Sequence, residues 1–179
     1  MTRLNVKIRK LHADAASPAY AKPGDSGFDL VATSDVIIEP GETALVPTGL
    51  AFEIPDGYEL QVRPRSGVTF KTKLRVGNSP GTVDSGFRGE VAVIVDNIDM
   101  FSGCGDEDCG GHRVLLTVSG EHVTWDVGRA YPLGTYIIRK GDRIAQGIIA
   151  PVQRVEFVEV AELTETERGS GGLGHSGVR

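Results

Sequence analysis

The chain has 179 residues, of which 40% are hydrophobic and 24% charged, and carries a formal net charge of −5. That composition describes one globular domain with a real core, and the acid excess excludes a surface suited as a whole to duplex nucleic acid, so an anionic ligand needs local arginines or a metal ion. Two cysteines are too few for a disulfide framework, and no apolar run suits a signal peptide or a membrane span, so a cytoplasmic protein is expected.

The 24 glycines and 9 prolines, with no long stretch of helical periodicity, predict an all-β fold. Residues 5–10 alternate, with Val6 and Ile8 on one face, and read as a first strand. A small-residue loop leads to Pro23-Gly24-Asp25-Ser26-Gly27-Phe28-Asp29-Leu30, glycine turns followed by an acid inside an apolar start. Residues 36–39 and 43–54 read as strands broken at Pro40-Gly41 and at Pro47. Tyr58, Leu60 and Val62 alternate with polar residues in a half-buried strand. It ends at Arg63-Pro64-Arg65-Ser66-Gly67, where Ser66 is placed to cap a short helical turn over 68–74. Residues 78–90 read as a β-hairpin with turn chemistry at both ends. Its tip carries Asp84 and Phe87, and a buried strand, 91–95, follows. The segment 98–133 opens on an acidic loop with both cysteines, and two strands, 113–118 and 122–127, form a second hairpin joined at Ser119-Gly120. Residues 135–139, 143–150 and 155–160 complete the strands. From Ala161 the glycine-rich tail has little to bury and is expected to be mobile when free.

Several places have the residue types for chemistry, and each also has a plain structural reading. Gly169, Gly171 and Gly174 match a dinucleotide fingerprint formally, but no βαβ unit surrounds them. Successive backbone N–H groups beside Arg168 still suit phosphate, against the alternative of a disordered terminus. Arg65, Ser66 and Gly67 offer a guanidinium, a hydroxyl and close backbone access to phosphate oxygens, or simply a strand end with a helix cap. Gln146 falls by alternation on the face of Ile144 and Ile148, where a polar amide needs partners, from the core or from a ligand. Asp29 is either a turn-capping acid or a metal-linked carboxylate. Asp84 beside Phe87 suits a small planar ligand, or is a solvated acid on a tight turn.

In chain order, residues 23–30, Arg65-Ser66-Gly67, residues 78–90, Gly141-Asp142-Arg143-Ile144-Ala145-Gln146 and residues 168–177 resemble the five motifs of the trimeric deoxyuridine triphosphatases (dUTPases). The resemblance spans nearly the whole chain. It implies an all-β jelly-roll (β-clip) barrel at 1–160, an arm at 161–179, and a homotrimer in which each arm closes a neighbour's active site. It also implies hydrolysis of dUTP to dUMP and pyrophosphate with Mg²⁺, which keeps uracil out of DNA and supplies dUMP for thymidylate synthesis.

On that resemblance, Asp84 would orient and deprotonate the water attacking the α-phosphorus. Phe87, in place of the family's usual tyrosine, would lie under the deoxyribose and exclude a 2′-hydroxyl. The backbone around Asn78, Gly81, Thr82 and Val83 would read uracil. Arg65, Ser66, Gly67 and Gln146 would hold the phosphates, and Asp29 the Mg²⁺ through water. Arg168, Ser170 and Gly171 would clamp the distal phosphates. Leu173 stands where the family commonly stacks an aromatic on the base, which predicts weaker affinity, since such stacking is worth roughly 1–3 kcal/mol.

The segment 98–133 is longer than the family's usual link. Cys104, Cys109 and His112 have zinc-like spacing without an evident full ligand set; the other reading is an acidic hairpin insertion that covers a surface or binds a partner, such as a regulatory protein. Two rival functions remain. A deoxycytidine triphosphate deaminase of the same fold would need a glutamate in the strand after residues 78–90, which reads Val91-Ala92-Val93-Ile94-Val95. A non-catalytic trimeric binding module would use the insertion alone.

Overall fold

The computed structural model describes residues 4–100, 114–124 and 130–172. Cys104, Cys109, His112 and Leu173 lie outside them. Thirteen strands and one short helix occur among the described residues, in the order β1 (Lys7–Lys10), β2 (Phe28–Val31), β3 (Val36–Ile38), β4 (Thr43–Pro47), β5 (Leu50–Glu53), β6 (Tyr58–Pro64), α1 (Ser66–Lys71), β7 (Leu74–Val76), β8 (Gly81–Val83), β9 (Ala92–Asn97), β10 (Val114–Leu116), β11 (His122–Thr124), β12 (Tyr136–Ile138) and β13 (Arg143–Pro151). The strands form sheets ordered β2-β13-β6-β8, β11-β10-β12-β3, β4-β9-β7 and β1-β5, an all-β jelly roll. Leu30, Ile38, Val46, Leu60, Leu74, Val93 and Ile138, drawn from seven strands, are each at most 2% exposed and meet in one core. Period-two alternation produces this: in β6, Leu60 and Val62 point inward while Gln61 and Arg63 do not. No helix among the described residues is long and apolar enough to cross a membrane.

Four local expectations differ from the structure. Residues 78–90 are not a hairpin: β8 pairs antiparallel with β6, whereas β9 pairs with β4 and β7. Asp84 therefore sits where the chain leaves one sheet for another, in a turn closed by the Phe87 N–H donating to the Asp84 carbonyl at 3.0 Å. The helix begins at Ser66 rather than after it. Arg65 is its N-cap, with no side-chain cap bond, and the helix ends at Thr72, whose backbone is extended. Leu74 consequently opens β7 instead of ending a helix.

A bulge in β13 at its pairing with β2 breaks the expected alternation. Ile144 and Ala145 both enter the core, and Gln146 shares a face with Ile148, beside Gly27, but not with Ile144. Finally, residues 155–160 form no strand among the described residues and are exposed, Phe157 at 91%; just before them the Val152 N–H donates to the Gly57 carbonyl at 2.8 Å and Arg154 pairs with Asp56 at 2.9 Å. The second hairpin is present as β10–β11, with Leu115 opposite Val123, and β10 joins β12 in parallel at Leu116 and Tyr136.

Candidate active site

The sequence-predicted residues fall into two clusters on either edge of β6, one where β13, with β2 beside it, meets its Pro64 end and one along β8. At the Pro64 end, β2, β6 and β13 lie side by side, with Gln146 directly between Asp29 on one strand and Arg63 on the other. Asp29 is an ion-pair centre: Arg65 Nε lies 3.1 Å from its Oδ1 and Arg143 Nη1 3.2 Å from its Oδ2. Arg65 Nη1 also donates to the Arg143 carbonyl at 2.9 Å. The Asp29 side chain is only 15% exposed, so two guanidiniums are locked in register around a half-hidden carboxylate. Such a pair is preorganised for an anion, because bidentate donors need little further ordering. Ser66 and Gly67 follow at once on α1, both exposed. Arg143 was not singled out from the sequence. Its place in the Gly141–Gln146 motif was visible, but its pairing to Asp29 depends on the β2–β13 register.

On the β8 side, a cavity of about 270 Å³ is lined by Val62, Asn78, Gly81, Thr82, Val83, Asp84, Phe87 and Glu90, among others. Its size suits a small planar ligand better than a large one. The Asn78 amide lies over the Gly81 backbone, so polar donors and acceptors line one wall and Val62 and Ile94 another. Phe87 is 45% exposed, and its ring rests edge-on over Gly89: a Cβ at Gly89 would stand 2.6 Å from Phe87 Cζ. Arg88 Nη1 donates to the carbonyls of Ser85 and Phe87, at 2.6 and 2.9 Å. Glu90 Oε1 accepts from the Gly49 N–H at 2.7 Å and ties the turn to the β4–β5 corner. This tie was not legible in the sequence, since the two partners are 41 residues apart. Among the described residues no ion pair or side-chain hydrogen bond occupies the Asp84 carboxylate.

The register separates Asp84 from Arg65. Val83 faces Leu60 and Gly81 faces Val62, so Asp84 continues toward Glu59, six residues from Arg65. At a rise of about 3.3 Å per residue that is roughly 20 Å.

The tail residues join neither cluster. Arg168 Nε donates to the Gly171 carbonyl at 3.0 Å, and the Gly171 N–H donates to the Arg168 carbonyl at 3.0 Å; Ser170 is exposed beside them. Among the described residues no group of three or more His, Cys, Asp or Glu is arranged to hold a metal ion.

This geometry agrees with what the chain is similar to. The dUTPase family model matches residues 13–100 and 134–177, leaving out most of the insertion. The deoxyuridine 5′-triphosphate nucleotidohydrolase of Nautilia profundicola is 43% identical over 174 residues, covering 97% of this chain and 99% of that protein. The solved dUTPase of Staphylococcus bacteriophage 80alpha with dUpNHpp superposes with a TM-score of 0.87 at 32% identity, covering 97% and 99% of the two chains. A mutant dUTPase from phage phi11 of S. aureus, described with a structural Mg(II) ion, superposes at 0.80 with 28% identity, over 90% of this chain and all of that one. A family model spanning most of the chain and a full-length relative at this identity together place the chain in the dUTPase family.

Proposed function

We propose that the protein hydrolyses dUTP to dUMP and pyrophosphate, and that each site is assembled from more than one copy of the chain. The observation that carries the reading is the small cavity with Asp84 and Phe87 at its rim and, among the described residues, no partner on the Asp84 carboxylate. Uracil enters beside Asn78 and the Gly81–Val83 backbone, where edge hydrogen bonds select the base and a thymine methyl has no room. The Phe87 ring lies under the deoxyribose. Asp84 accepts a proton from a water held in line with the α-phosphorus, and positioning supplies what a carboxylate lacks as a base. Arg65 and Arg143, fixed by Asp29, hold phosphate oxygens and stabilise the charge that develops on them. Ser66, Gly67 and Gln146 complete that end.

Asp29 fits Mg²⁺ only as an outer partner. Both its oxygens already face guanidiniums, yet a carboxylate has about four acceptor sites, which leaves room for a metal-bound water. Mg²⁺ usually keeps several waters and takes phosphate oxygens as ligands. When bound, it would neutralise triphosphate charge.

The roughly 20 Å between Asp84 and Arg65 along β6 exceeds what one triphosphate joins within one chain, so the two clusters must face each other across copies. A closed homotrimer, with arm 161–179 crossing to a neighbour, satisfies this. The exposed apolar run Val155, Phe157, Val158 and Val160 supports the crossing, since it needs a covering surface that the described residues do not give. Arg168, Ser170, Gly171 and Leu173 then close on the distal phosphates. Ordering them costs roughly 1–2 kcal/mol per residue, which phosphate contacts offset.

The deaminase alternative lacks its acid: Asp96, at the end of β9, is bonded by Thr43 Oγ1 at 2.7 Å. A second role beside catalysis is binding of a regulatory protein at 98–133. It is favoured by β11, which forms the outer edge of its sheet and so offers backbone groups for strand addition.

A nucleotide panel of dUTP, UTP, dTTP and dCTP, followed for pyrophosphate release with and without Mg²⁺, tests the function. dUTP turnover that depends on Mg²⁺ and exceeds the others by about a hundredfold or more is expected; equal use of UTP and dUTP, or no pyrophosphate from dUTP, would refute it. Gly89→Ala is expected to push the Phe87 ring off its seat and raise KM for dUTP by about tenfold, narrowing the gap to UTP, with little change in Tm because the loop is exposed.

A further inference from the structure

We propose that the inserted hairpin β10–β11 braces helix α1 and thereby aims Arg65, making Val118 and Gly120 positioning residues for triphosphate binding. The proposal rests on the dUTPase reading above. It arises from a weakness in α1. The helix has six residues, no buried side chain and no side-chain cap, so its own packing does little to fix it. Arg65, whose guanidinium reaches Asp29 and the Arg143 carbonyl, is its N-cap. A small tilt of α1 therefore moves the group that meets phosphate.

The insertion supplies what α1 lacks. Gly120, at φ +79°, turns the hairpin directly against the helix end, where an added Cβ would stand 2.8 Å from the Lys71 carbonyl oxygen. Val118 packs on the core and lines the gap beneath α1 with Arg65, Val68, Thr69 and Ile144. The turn is stiff: the Thr117 N–H donates to the Glu121 carbonyl at 2.8 Å, the Gly120 N–H to the Thr117 carbonyl at 2.9 Å, and the Glu121 N–H to Thr117 Oγ1 at 3.1 Å. The hairpin is itself anchored, because Leu115 packs with Tyr131 and Ile137 in a separate small core. A second strut comes from Tyr136, paired with Leu116, whose hydroxyl accepts from the Lys73 N–H at 3.0 Å, just past the helix. The family model leaves out residues 101–133, so the hairpin part of this support is built from chain that the family pattern does not describe.

The test uses the full-length protein. Val118→Ala is expected to weaken binding of the analogue dUpNHpp and to raise KM for dUTP by about tenfold, with kcat at saturation within about twofold. Affinity for deoxyuridine, which has no phosphate, should hold, and Val118→Ile should restore the triphosphate affinity. Gly120→Ala, in the surface turn, checks the result without opening the core. Hydrogen exchange of the Thr69 and Thr72 amides, which donate to the Arg65 and Val68 carbonyls, should speed up in both alanine variants. Unchanged dUpNHpp affinity, an equal loss of deoxyuridine, or unchanged α1 exchange would each overturn the brace. If the wild-type protein instead released no pyrophosphate from dUTP, the functional reading would fall, while the exchange measurement, made without nucleotide, would still judge the brace.

Discussion

Asp84→Asn is expected to lower dUTP turnover by about a thousandfold while the affinity for dUpNHpp stays within about threefold. The amide keeps the shape of the carboxylate and can still donate to a water, but it cannot take the water's proton. The fold has no reason to suffer. The turn is held through the Asp84 backbone carbonyl, through Arg88 on the Ser85 and Phe87 carbonyls, and through Glu90 on Gly49; none of these uses the Asp84 side chain. Pyrophosphate release at saturating dUTP, set beside calorimetric binding of dUpNHpp, separates the two effects. A loss of less than about tenfold would move the base elsewhere. A parallel loss of binding would mean that the carboxylate holds the substrate instead of activating water.

The all-β class and most strands were legible in the sequence because alternation and turn residues are local. Leu60 and Val62 facing in, with Gln61 and Arg63 facing out, needs only the period of two. Pairing is not local, and the misreadings concentrate there. Residues 78–90 have hairpin chemistry, yet β8 prefers the edge of β6 and β9 the middle of another sheet. A bulge adds one residue without a composition signal, so the alternation that puts Gln146 with both Ile144 and Ile148 holds for Ile148 and fails for Ile144. The run 155–160 has strand composition, yet it takes no strand partner among the described residues. The candidate site residues come from the family pattern, but the partnership of Asp29 with Arg65 and Arg143 was not legible, since it needs three strands in register.

Mixing two inactive variants should restore activity, and this follows from the separation along β6. Arg65→Ala removes a guanidinium that Asp29 and the Arg143 carbonyl hold in place, and alone it should lose most turnover because phosphate charge is left unneutralised. Asp84→Asn is inactive for the different reason given above. The two changes lie about 20 Å apart within a chain, so a site that uses both residues draws them from different copies. In trimers re-formed from an equal mixture, each site has an intact Asp84 chain facing an intact Arg65 chain in about one case in four, so roughly a quarter of wild-type turnover should return. If both residues served one site within one chain, no combination of the two variants would contain a whole site and the mixture would stay as inactive as its parts. The double variant mixed with wild type supplies the control, because it gives back about a quarter of the sites under the shared arrangement and about half under the single-chain one. Pyrophosphate release from the refolded mixtures, measured against the trimer content of each, distinguishes the arrangements.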